Sequence, residues 1–186
     1  SVYMTWEQIA ELSERGHEIC NHSWHHTMDF QEGSVEYQTE EILKIEERCA
    51  QYGIPKPITF GAPGGGYTIA IEQLVHDLGY LWSRGDMRDP NASPCMVGDA
   101  PYDPYLDTPL IVPGANVNTT EELANLLNTC EGKVPLMVFH GIDDPRMPGI
   151  PFADVLKTIA DVGGKAITFR ELSEYVDPVK AYAYTH

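Results

Sequence analysis

Short apolar runs of β-like composition alternate with longer runs at helical spacing along the whole chain, and this order constrains the fold more than any other feature. Thr5 and Gln8 have capping-box spacing, and Trp6, Ile9, Ala10 and Leu12 suit one buried helix face that stops at Gly16. His17-Glu18-Ile19-Cys20 reads as a short strand running into a polar, histidine-rich loop. Residues 34–52 fit a second helix, with Ile42, Ile45 and Cys49 on one face and Gly53 as the stop. Ile58-Thr59-Phe60 is the next strand, leading into the glycine-rich residues 61–66. A third helix over 69–78, closed by Gly79, precedes a strand that begins Tyr80-Leu81-Trp82. Residues 85–109 are rich in Pro, Asp and Gly, too irregular for a simple connection, and read as a functional surface loop. Leu110-Ile111-Val112 is a brief strand, and Thr120 starts a helix containing Leu123, Leu126 and Leu127. Leu136-Met137-Val138-Phe139 is the most apolar strand, and Pro151 suits the first turn of a helix carrying Val155, Leu156 and Ile159. Ala166-Ile167-Thr168-Phe169 reads as the last strand and residues 171–175 as a short final helix. About six strands alternating with helices is the order of an α/β fold with a parallel sheet or barrel. In such folds the chemistry gathers in loops after the strands' C-terminal ends.

The 186 residues fit a single domain over 1–186. A hydrophobic fraction of 42% with 22% charged residues is that of a globular protein. Twelve basic against 28 acidic residues give a net charge of −16, which repels phosphate backbones and argues against nucleic acid as a partner. Neutral, cationic or metal-held ligands suit it better. No apolar run approaches the ~20 residues of a membrane span, and the first residues lack a charged-then-apolar secretory pattern. Cys20, Cys49, Cys95 and Cys130 lie far apart, which excludes zinc ribbons and thioredoxin-type motifs and leaves disulfides open. Glycosylation sequons at Asn21, Asn91 and Asn118 are short enough to arise by chance, so the compartment stays open, as does the oligomeric state.

Four of the seven histidines lie between His17 and His26. His22 and His26 are four apart, which lets two imidazoles meet one metal ion or leaves them as a solvated cluster. The run Pro63-Gly64-Gly65-Gly66 follows a strand, so its backbone N–H groups can bind an oxyanion or simply make a tight turn; it lacks any phosphate-loop pattern. His140 leaves the most apolar strand, where it serves either as an acid or base or as a loop hydrogen-bonding residue. Asp143 and Asp144 read better as loop solvation than as a cation site. Trp24, Trp82 and Tyr67 suit stacking on a sugar ring or packing at strand ends. Arg84 closes an apolar run and must find a partner or water.

Taken in order, these segments resemble the polysaccharide deacetylases, the NodB-homology family of carbohydrate esterases. From Thr5 the chain reads TWEQIAELSERGHEICNHSWHH, similar to the segment before and through that family's HSxxH metal motif. Phe60 to Gly65 falls where the family has its R-x-P loop, Val138-x-His140 where it has L-x-H, and the stretch from Pro151 to Val176 resembles its closing helix and strand. The resemblance implies a distorted (β/α) barrel of about 7–8 strands that removes acetyl groups from N-acetylated or O-acetylated carbohydrates. It implies a divalent metal, most often zinc, on His22 and His26, with His140 as general acid. The Gly64 N–H, following Pro63, would be the oxyanion donor, with Trp82 beside the substrate.

Two departures accompany the match. The family's aspartate pair, which supplies the base and a third metal ligand, lies on a first strand upstream of Ser1, so the first one or two strands are expected to be missing from this chain. The chain alone is then expected to be poorly soluble and inactive. The family's loop arginine is replaced by Gly61, and Arg84 is the candidate to supply a guanidinium in its place. Two other functions stay open: a non-catalytic glycan-binding domain on the same fold, and an amidohydrolase acting on small C–N substrates.

Overall fold

The structure is a computed structural model that describes residues 3–86, 101–113, 119–138 and 151–185. Its helices begin where the local signals put them. In α1 (Trp6–Glu14) Thr5 Oγ1 accepts the Gln8 N–H at 3.3 Å and Gln8 Oε1 accepts the Thr5 N–H at 2.8 Å, closing the capping box. Gly16, at φ +92°, ends it. The face expected to be buried is only half-buried, since no α1 residue is fully enclosed. Ser34 caps α2 (Val35–Gln51), which buries Gln38, Glu41, Ile42 and Cys49. Thr68 caps α3 (Ile69–Asp77), which buries Ile71, Glu72 and Val75.

Strands β1 (Thr59–Gly66) and β2 (Trp82–Asp86) pair in parallel. Two single bridges extend this pair on either side. Asn21 N–H donates to Thr59 O at 3.0 Å and Gly61 N–H to Asn21 O at 2.9 Å; on the far edge Ser83 N–H donates to Pro109 O at 2.9 Å and Val112 N–H to Ser83 O at 2.7 Å. The parallel order is therefore Asn21, β1, β2, Val112, which is chain order, with α2 and α3 as the first two crossovers.

The core lies in two clusters. Phe30, Ile42, Phe60, Ile71, Val75, Tyr80 and Leu110 join α2, β1 and α3, while Trp82, Tyr102, Val112 and Leu172 lie beyond β2. Tyr67 packs directly over β2: a Cβ at Gly85 would stand 2.5 Å from its ring, so only glycine fits there.

Among the described residues the strand count is lower than the sequence suggests. Residues 17–20 are not a strand, because the ladder begins one residue later, at Asn21. Residues 110–112 make one bridge rather than a ladder, and Leu136 and Val138 are irregular. Residues 166–168 are irregular too, and Phe169 opens a helix, because Thr168 caps it with Glu171 in a capping box. The helices described in the second half are α4 (Thr120–Thr129), α5 (Phe152–Asp161), α6 (Phe169–Leu172) and α7 (Pro178–Thr185). Glu18 ties its last part to β1, accepting from Thr59 Oγ1 at 2.6 Å and from the Arg170 N–H at 2.8 Å. No helix among the described residues is long and apolar enough to cross a membrane.

Candidate functional site

The register of β1 against β2 slips between Gly61 and Gly66: Gly61 faces Arg84, yet Gly66 faces Asp86. The chain from Gly61 to Gly66 therefore bulges away from β2 at the C-terminal end of the strand. The polar segment after Asn21 lies along this bulge. A Cβ at Gly64 would stand 3.0 Å from Met28 Cε, and one at Gly66 3.0 Å from Gln31 Oε1. Gly64 is at φ +65°, a backbone conformation that favours glycine.

His22 and His26 come together at this place, with ring centroids 4.6 Å apart in an edge-to-face arrangement. Both are exposed. His22 Nδ1 lies 2.6 Å from Gly61 O. A carbonyl only accepts, so Nδ1 carries the proton in that contact and Nε2 carries the ring's lone pair. That is the tautomer and the backbone support that metal-ligating histidines use. The two imidazoles thus fit two corners of a zinc site. Among the described residues no third histidine, cysteine or carboxylate joins them. Asp29 is exposed, at the position before the 3-10 turn Phe30–Glu32.

The loop that presents the histidines holds two non-glycine residues in the left-handed region, Ser23 at φ +64° and His26 at φ +52°. Each such residue costs about 1–3 kcal/mol and persists only when its surroundings hold it. Here the holding groups are buried and polar. Asn21, fully enclosed, donates through Nδ2 to Ile42 O at 2.9 Å and to Tyr80 Oη at 2.7 Å, while its Oδ1 accepts the Ser23 N–H at 3.0 Å. An amide used in this way is no glycosylation acceptor in the folded chain. Tyr80 Oη donates in turn to Glu46 Oε1 at 2.9 Å; burial and then the Glu46 charge push its phenol above the ordinary value. Glu41 accepts the His25 N–H at 2.7 Å and lies 2.6 Å from His25 Nδ1. Gln38 donates to Phe30 O at 2.8 Å. Sequence reasoning named Asn21 only as a sequon and Tyr80 only as a strand start, and passed over Gln38 and Glu41. The available signal was a Gln and a Glu, three apart, on the same helix face as Ile42.

Arg84 is half-buried, and a Cβ at Gly61 would stand 3.4 Å from both Arg84 Nη2 and His22 Nδ1. The guanidinium therefore occupies the space over Gly61, beside the first histidine. Its one described hydrogen bond is to Ala62 O at 3.4 Å, and burial lowers its pKa. Pro63 is buried in the bulge beside Gly64. Trp82 is not at the site. It is fully enclosed, donates through Nε1 to Ser173 Oγ at 2.8 Å and packs on Tyr102 and Phe169, so it is core rather than a sugar platform. Tyr67 is likewise core, and Trp24 is half-buried with Arg48 5.6 Å from its ring centroid. His140, Asp143, Asp144, Cys95, Asn91 and Asn118 lie outside the described residues.

Residues 1–82 match the family model described as polysaccharide deacetylase. Two solved structures share the fold. One is a candidate polysaccharide deacetylase from Mycobacterium smegmatis, with TM-score 0.62, 18% identity, and coverage of 94% of this chain and 68% of that one. The other is a family 4 carbohydrate esterase from Streptomyces lividans in complex with acetate, with TM-score 0.53, 16% identity, and coverage of 88% and 74%. No curated protein matches the chain in sequence.

Proposed function

Residues 1–82 carry the sequence pattern of the polysaccharide deacetylase family, and from that premise we propose that the protein is a metal-dependent hydrolase removing acetyl groups from an N-acetylated or O-acetylated carbohydrate. The observation that carries the reading is the meeting of His22 and His26 beside the bulge of β1, with Gly61 O on the first ring. Both rings would hold a divalent cation, zinc by the chemistry of the donors. When bound, such an ion polarises an acetyl carbonyl and acidifies the attacking water.

The chain's own groups take the remaining roles. Gly61 O keeps the His22 proton on Nδ1, so that Nε2 is the nitrogen that would hold the ion. The Gly64 N–H, at the crest of the bulge, is the oxyanion donor. Arg84, over Gly61, orients a carboxylate with its fork of donors. His140 gives the proton that the departing amine or alcohol needs. A base and a third ligand, an aspartate pair by the resemblance, would complete the site, and among the described residues no such group joins the two histidines. The parallel order around β1 and β2 belongs to a distorted (β/α) barrel in this reading.

The test is acetate release by the whole encoded protein, loaded with zinc, on chito-oligosaccharide, acetyl-xylan and a small cyclic amide. Release from one of the two carbohydrates is expected. His22→Ala should abolish both bound zinc and release, while His140→Ala should cut kcat by about 10²–10⁴ with zinc content unchanged. Carbohydrate binding without acetate would make the protein a glycan-binding module instead, and turnover of the cyclic amide alone an amidohydrolase.

A further inference from the structure

We propose that Glu41 is the positioning residue for the two candidate metal histidines, acting from the buried face of α2 through His25; this rests on His22 and His26 being the ligands. Glu41 is 1% exposed. A carboxylate taken that far from water must be matched by donors. Both of its oxygens go to a single residue: Oε2 accepts the His25 N–H at 2.7 Å, and Oε1 lies 2.6 Å from His25 Nδ1. Gripping main chain and ring together fixes the backbone and the side chain of His25 at once. His25 is therefore an anchor, its Nδ1 being committed to Glu41. His26 follows directly at φ +52°, its N–H donating to Ser23 Oγ at 3.1 Å, and the anchored His25 fixes the peptide before it.

The neighbouring ties act elsewhere on the same loop. Ile42 O accepts from Asn21 at its start, and Gln38 donates to Phe30 O at its end. Of the three, Ile42 O holds the residue before His22, and Glu41 is the one that grips the residue before His26, by main chain and ring together. Its removal should let His26 swing away from His22, while the loop's two ends stay in place.

The experiment reads ring proximity and metal affinity in the same protein. In the zinc-free protein a nuclear Overhauser contact between the His22 and His26 rings is expected; zinc affinity follows by competition with a chromophoric chelator. Glu41→Ala should lose the ring contact and weaken zinc by about 10–100-fold, the usual effect of removing an outer partner of a metal ligand. Glu41→Gln retains an acceptor for the N–H and offers its amide to Nδ1, so it should restore both. Gln38→Ala should lower the melting temperature yet leave zinc affinity unchanged. If Glu41→Ala does not fold, Glu41→Asp carries the test: it keeps the charge but cannot span both contacts, and it too should lose the ring contact. Wild-type ring contact and affinity in the folded Ala or Asp variant would overturn the proposal, leaving Glu41 a structural residue. A wild-type protein whose zinc affinity ignores His22→Ala would instead sink the ligand assignment, while loss of the ring contact in Glu41→Ala would still support the positioning role.

Discussion

The space over Gly61 is filled by Arg84, whose Nη2 and Nε would stand 3.4 and 3.7 Å from a Cβ placed there. A glycine on β1 and an arginine on β2 face each other in register, so the guanidinium arrives from the neighbouring strand. Arg84→Lys should lower kcat about 10²-fold, because one ammonium cannot reproduce a planar fork and a misplaced partner costs that much. Turnover within twofold of wild type, measured as acetate release, would remove Arg84 from the site. Residue types and spacing made the histidine pair, the glycine bulge and Arg84 legible in sequence. They misplaced Trp82, because an aromatic at a strand end looks the same whether it faces ligand or core. They offered Asn21 only as a sequon and were silent on Gln38 and Glu41, because a buried polar side chain declares itself only through distant partners such as Ile42 O, Phe30 O and His25.

The elements differ in how they are fixed. Helix starts depend on residues three apart, so the starts read from sequence near Thr5, Ser34, Thr68 and Thr119 fall within a residue of the observed ones, whereas Thr168, read as strand, caps α6. At Thr168 this local signal overrides the strand-like composition of residues 166–169. Glu171 reaches back to the Thr168 N–H at 2.8 Å, and that contact first, then the Thr168 hydroxyl, holds its carboxyl below the ordinary 4.5. A depressed carboxylate stabilises fully above its unfolded pKa, so this support is present at neutral pH and is lost as the pH falls through the lowered value. Thr168→Ala should cost about 1 kcal/mol at pH 7 and lower Tm by about 2–4 °C, read by thermal circular dichroism. An unchanged Tm would show that the Glu18 tie to the Arg170 N–H carries α6 without the cap. Strands have no such local mark: Asn21 and Val112 join the sheet only because β1 and β2 offer an edge to each.

At the scale of the whole molecule the net charge of −16 sets a repulsion that no single contact relieves. Salt shortens the range of that repulsion to about 10 Å at 0.1 M. Raising sodium chloride from 10 to 300 mM at pH 7 should therefore lift Tm by about 2–4 °C, the change that about 1 kcal/mol produces at this size. A fall in Tm would mean that ion pairs such as Lys133–Asp103 and Lys56–Glu46 outweigh the repulsion. Local sequence sets the alternation of helices with extended segments, the first helix caps and the order of the motifs, because each depends on residues close together in the chain. The tertiary structure decided which extended segments form a ladder, which aromatic is core, and which buried carboxylate grips the histidine loop. Those outcomes depend on groups 16 to 91 residues apart, as in His25–Glu41 and Trp82–Ser173, that only the packed chain brings within hydrogen-bonding distance.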